Sequence, residues 1–117
     1  MKFENVCGII DLKDRQVKAY IEVCLKQKEK DDRISIELIQ TLATSYAQNL
    51  TRTFMENYRD FLSDEDNRMQ VRKYLVSRGA DKGHSGNRFS EELYKVLPGI
   101  ITKKEEEEEE RDDEKRI

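Results

Sequence analysis

The sequence has no tryptophan, one proline, five glycines, two cysteines and a single histidine in 117 residues. So few turn-forming residues argue against a β-sandwich or barrel, whose many hairpins need Gly, Pro and Asn at short intervals. Cys7 and Cys24 do not make a disulfide framework, and with His84 they fall short of the ligand set of a structural zinc site. They read as buried thiols of an intracellular protein, cytoplasmic or nuclear. No apolar run approaches the length of about 18 residues that a bilayer span requires, so no membrane partner is expected. The opening MKFENVCGII carries Glu4 early and has too short an apolar stretch for a secretory leader.

What the chain has in abundance is charge: 40% of residues are Asp, Glu, Lys or Arg, and only 36% are hydrophobic. That apolar share is low for a globular protein and implies one small core, a single domain over residues 1–104. The formal net charge of −3 hides a lopsided layout. Residues 1–67 carry 10 basic and 13 acidic side chains, residues 68–104 carry 9 and 3, and residues 105–117 carry 3 and 9. An acidic body is followed by a basic segment and then by an acidic tail.

Helical periodicity dominates the body. Val17, Tyr20, Ile21, Cys24 and Leu25 form one helix face. The segment from Lys2 to Ile10 fits either a short helix or an edge strand, with Asp11 placed to cap the helix that begins at Leu12. Ser35 reads as an N-cap for a helix whose stripe runs through Ile39, Leu42, Tyr46, Leu50, Phe54, Tyr58 and Phe61. One continuous helix from Ile36 to Leu62 is expected, with a break near Asn49 to Thr51 as the alternative. Ser63 to Asp66 has the form of a capping box, opening a helix with Met69, Val71, Tyr74 and Leu75 that Gly79 closes. A last helix is expected over Asn87 to Leu97, with Phe89, Leu93, Val96 and Leu97 facing inward and Pro98-Gly99 as its stop. Ile100-Ile101-Thr102 is β-prone and fits one short strand. The fold class is thus mostly α: a small domain of about four helices, its C-terminal half helix-turn-helix-like, followed by a disordered acidic tail over 105–117.

Nothing in the sequence points to an enzyme, a cofactor or a small-molecule substrate. His84 lies in a glycine-flanked loop without a held nucleophile or carboxylate, and Gly79, Gly83 and Gly86 match no phosphate-binding loop pattern. The basic segment is the candidate site. Arg68, Arg72, Lys73, Arg78 and Lys82 come from the first helix and loop of a helix-turn-helix, where basic side chains hold phosphates. Asn87, Arg88 and Lys95 come from the second helix, whose first residues would reach base edges. Unpaired N–H groups at Ser85, Gly86 and Asn87 would hold one phosphate.

These features make nucleic acid, DNA foremost, the expected partner of residues 68–104, with the acidic tail tethered close enough to screen that patch. The alternative is a small interaction or inhibitor protein that binds another protein, or a second copy of itself, through the long central helix and the tail. In that reading Leu38, Met55 and Leu62, lying off the main stripe, form a second apolar face.

Overall fold

The structure is a computed structural model that describes residues 2–98. Two long antiparallel helices form its spine: α1, Phe3–Lys30, and α2, Ile36–Asn57. A single turn, α3 (Arg59–Leu62), leads to α4 (Glu65–Ser77), a 3₁₀ turn at Ala80–Lys82 and a last helix, α5, over residues 88–98. The fold is all-α among the described residues, and none of these helices is long and apolar enough to cross a membrane. The expected strand at Ile100 to Thr102 and the tail 105–117 lie outside the described residues.

The segment from Lys2 to Ile10, which admitted a strand, is instead the first part of α1. Its apolar residues explain why: Val6, Ile10 and Val17 are all buried at helical spacing. Asp11 therefore lies inside a helix and caps nothing. Ser35 caps α2 as expected, its Oγ accepting the Leu38 N–H at 3.0 Å. The helix does not run on to Leu62. It ends at Tyr58, whose φ of −114° and ψ of 25° turn the chain before α3 resumes. The turn brings Leu62 into full burial, which a straight helix would have left off its inner stripe. No break occurs at Asn49 to Thr51; Thr51 is buried and its hydroxyl donates to the Ala47 carbonyl at 2.8 Å.

Asp64, rather than Ser63, caps α4. Its Oδ1 accepts the N–H groups of Asp66 at 2.8 Å and Asn67 at 3.2 Å, while Ser63 Oγ donates to the Asp60 carbonyl. Gly79 ends α4 in the left-handed conformation, φ 81°, as its place after the last apolar residue implied.

The core gathers Val6, Ile10 and Val17 of α1, Ala47 and Phe54 of α2, Leu62 of α3, Val71 and Leu75 of α4, and Phe89, Leu93 and Leu97 of α5. Phe54 and Phe89 meet edge to face at 5.6 Å, joining α2 to α5. Each such side chain contributes about 1.5–3 kcal/mol by leaving water. The fully buried α1 residues of this core all precede residue 18, with Ile21 packed partly buried against it.

Candidate interaction surfaces

The polar centre of the fold is Asp14, whose carboxylate is fully buried. An acid at such a depth is tolerated only when paired and hydrogen-bonded on all sides. Its Oδ1 accepts the backbone N–H of Ser90 at 2.9 Å, and its Oδ2 accepts the Ser90 hydroxyl at 2.5 Å. Arg78 donates to Oδ2 through Nε at 3.1 Å and Nη2 at 2.8 Å, and its Nη1 lies 2.6 Å from Asp11. Tyr74 donates its hydroxyl to Asp11 at 2.5 Å. Burial opposes the charge on Arg78, but its bonds to Asp14 and the charges of Asp14 and Asp11 outweigh that cost and raise its pKa above the ordinary value. Burial, followed by the bond to Asp11, likewise raises the Tyr74 pKa.

Ser90 lies in the first turn of α5, where backbone N–H groups lack helical partners and favour negative charge. Asp14 supplies that charge from α1. Asn87 N–H donates to Ser85 Oγ at 3.0 Å, and the Asn87 side-chain amide donates to the Arg78 carbonyl at 3.1 Å. The start of α5, expected to meet phosphate or bases, is therefore docked on its own chain.

The eight candidate residues do not gather on one surface. Arg68 is buried and donates from Nη1 to the carbonyls of Leu62 and Ser63, both at 3.1 Å, holding the end of α3. Arg78 is committed to the Asp14 cluster, and Asn87 to the α4–α5 loop. Expected as phosphate or base contacts, these three residues have structural roles in this geometry. Arg72, Lys73, Lys82 and Lys95 are exposed and Arg88 is half-buried. Arg72 sits over the Tyr94 ring at 5.4 Å. Arg88 and Lys95 project from a different side of α5, into a shallow cleft of about 220 Å³ that Thr44 and Ala47 of α2 help to line. Glu91 and Glu92 line the same cleft, and Lys95 Nζ is 3.3 Å from Glu92, so the cleft offers both signs of charge. His84 is exposed. Cys7 and Cys24 are half-buried rather than buried, and neither forms a disulfide.

The second apolar face expected on the central helix is also dispersed. Leu62 is buried, Met55 is half-buried against the core and only Leu38 is exposed. Exposed apolar side chains occur at the outer half of the hairpin, and also at Leu12, Val23, Met69, Val76 and Val96. Past Val17 no residue of α1 is buried, although Tyr20, Ile21, Cys24 and Leu25 continue its stripe. Opposite them Ile39 and Ala43 of α2 are buried, but neither joins the main core. Leu25, Ile36, Leu38 and Leu42 are 39–46% exposed. Tyr20 and Tyr46 stack at 4.6 Å, tying the two helices together where the third layer ends.

Compared with known proteins, the chain matches no family model, no curated protein and no solved structure.

Proposed function

We propose that this protein is a helical protein-interaction module that docks a partner on the outer half of its α1–α2 hairpin. The observation that carries the reading is the mismatch between pattern and burial. Beyond the point where α3, α4 and α5 cover the hairpin, Leu25 of α1 and Leu42 of α2 are left exposed although Ile39 and Ala43 between the helices are buried, and Ile36 and Leu38 add exposed apolar side chains on opposite sides of α2. A two-helix layer with an uncovered apolar face is completed by a further helix laid across it, the helix-in-groove mode of recognition.

Charge favours the same partner class. Residues 18–43 carry five basic and five acidic side chains, so this surface has no net attraction for a polyanion. Among the described basic residues of the 68–104 segment, in contrast, Arg68 and Arg78 make internal bonds, Arg72 sits over the Tyr94 ring, and Arg88 and Lys95 line the cleft beside α2. An apolar helix from another protein suits the outer hairpin better than nucleic acid suits the basic segment.

The test places a photoreactive side chain at Leu42 and exposes the protein to extract of its source cell, beside a mobility-shift assay on duplex DNA. The proposal expects a discrete crosslinked product, lost when Leu25→Asp is added, and no DNA shift. Absence of that product, together with a DNA shift abolished by Arg72→Ala, Arg88→Ala and Lys95→Ala, overturns it in favour of nucleic acid.

A further inference from the structure

The face of α1 that points away from α2 carries a second pattern, separate from the docking surface above. Asn5, Gly8 and Leu12 are followed eleven residues later by Gln16, Ala19 and Val23, and then by Gln27. Each unit is an amide, a small residue and a branched aliphatic, and no charge interrupts the stripe. An eleven-residue period holds a stripe nearly parallel to a straight helix axis. Gly8, Leu12, Ala19 and Val23 are all exposed, Leu12 at 51% and Val23 at 58%. No atom lies within 4 Å of where a Cβ on Gly8 would sit, so nothing inside this chain requires a glycine there. A glycine inside a helix lowers its stability relative to alanine, and two large aliphatics in water gain nothing.

The stripe is self-complementary when reversed. Laid antiparallel on a second α1 with the two-fold axis beside Gln16, Gly8 of one copy lies opposite Val23 of the other, and Leu12 opposite Ala19. Every large side chain then meets a small one, which lets the backbones approach closely along about 22 Å of helix. The same register brings Glu4 beside the other copy's Lys26. Gln16, uncharged and partly buried within its own chain, lies nearest the axis. Arg15 of each copy also flanks the axis, with a stem long enough to turn its guanidinium to water.

We infer that the chain forms an antiparallel homodimer through the outward Gly8–Leu12–Ala19–Val23 face of α1. Val23 and Leu25, two residues apart, project to nearly opposite sides of the helix, so this contact leaves the outer-hairpin surface open and does not depend on it.

Light scattering on the full chain at tens of micromolar measures the assembly. It is expected to give twice the chain mass, with Leu12→Glu and Val23→Glu each returning a monomer of unchanged helicity. Cysteine crosslinking in a Cys7→Ser, Cys24→Ser background that still dimerises reads the register. A mixture of Leu12→Cys and Ala19→Cys chains is expected to form a disulfide-linked dimer. Leu12→Cys alone is not, because its two copies stand about 10 Å apart along the axis, beyond disulfide reach. A monomer at every concentration, a dimer unaffected by both glutamates, or efficient self-crosslinking of Leu12→Cys overturns the inference.

Discussion

Asp14 of α1 accepts the backbone N–H of Ser90 at 2.9 Å, so a helix near one end of the described chain is capped by a side chain from near the other. The bond spans 76 residues of sequence and joins α1 to α5. Arg78 closes the arrangement by neutralising the same carboxylate from the end of α4. This cluster, more than any surface charge, fixes where α5 lies.

Replacing Asp14 by alanine leaves the Ser90 N–H without its acceptor and Arg78 with Asp11 as its one remaining carboxylate among those described. Removal of one partner from a buried ion pair costs about 3–5 kcal/mol. Urea denaturation should show a loss in that range for Asp14→Ala, and a double-mutant cycle with Arg78→Ala should be strongly non-additive. A loss below about 1 kcal/mol, within the range of an exposed pair, contradicts the structural role.

Tyr74 gives the cluster a pH dependence. Its pKa lies above the ordinary 10.0 because burial and the bond to Asp11 favour the protonated phenol. In the window above that ordinary value the unfolded chain releases the proton while the folded chain keeps it, so folding loses stability as pH rises. The contribution is complete below about pH 10 and disappears through the raised folded pKa. Tyr74→Phe is expected to lower stability by about 1–2 kcal/mol at neutral pH, with the difference shrinking on going to pH 11. A constant difference across that range contradicts the assignment.

Two glycines should respond oppositely to alanine. Gly8 faces open space within its own chain, so in a Leu12→Glu background, where pairing through that face is blocked, Gly8→Ala is expected to stabilise the helix by up to about 1 kcal/mol. Gly79 has φ 81°, and a Cβ there would lie 3.1 Å from Ser85 Cβ. Gly79→Ala should therefore cost at least the 1–2 kcal/mol, roughly, of a left-handed L-residue. Thermal melts of the two variants decide the signs.

The contrast between Leu62 and Leu38 tests where the core ends. Leu62→Ala creates a cavity and should cost about 2–5 kcal/mol, whereas Leu38→Ala, at 44% exposed, should change stability by less than about 0.5 kcal/mol. Similar losses at both positions would restore the single continuous helix.

The parts of the fold readable from sequence are those set by local chemistry. Ser35 caps α2 through its own hydroxyl, Gly79 ends α4 through its own φ, and spacing finds the buried Ile39, Phe54, Val71, Leu75, Phe89, Leu93 and Leu97, whereas Leu42, Met69 and Val96, read onto the same stripes, are exposed. The break at Tyr58 was not legible, because no Gly or Pro marks it and only the burial of Leu62 accounts for it. Asp14 was missed although a signal existed. It falls on the stripe Val6, Ile10, Asp14, Val17, where an acid implies a buried partner. The courses of the basic side chains between residues 68 and 98 were not legible for a related reason. Their number is visible in the sequence, but the inward course of Arg68 and Arg78 depends on carbonyls and carboxylates brought near by folding. The strand at Ile100 to Thr102 and the acidic tail fall outside the described residues.

The central claim, that the outer hairpin is an uncovered docking surface, is tested most directly by amide hydrogen exchange along α1. In a Leu12→Glu chain, where pairing through the opposite face is blocked, amides of residues 19–28 should exchange at least roughly tenfold faster than those of residues 6–17. Adding the partner identified by crosslinking at Leu42 should slow the outer amides selectively. Uniform protection along α1 in the isolated chain, or slowing confined to α4 and α5 on binding, would contradict the account.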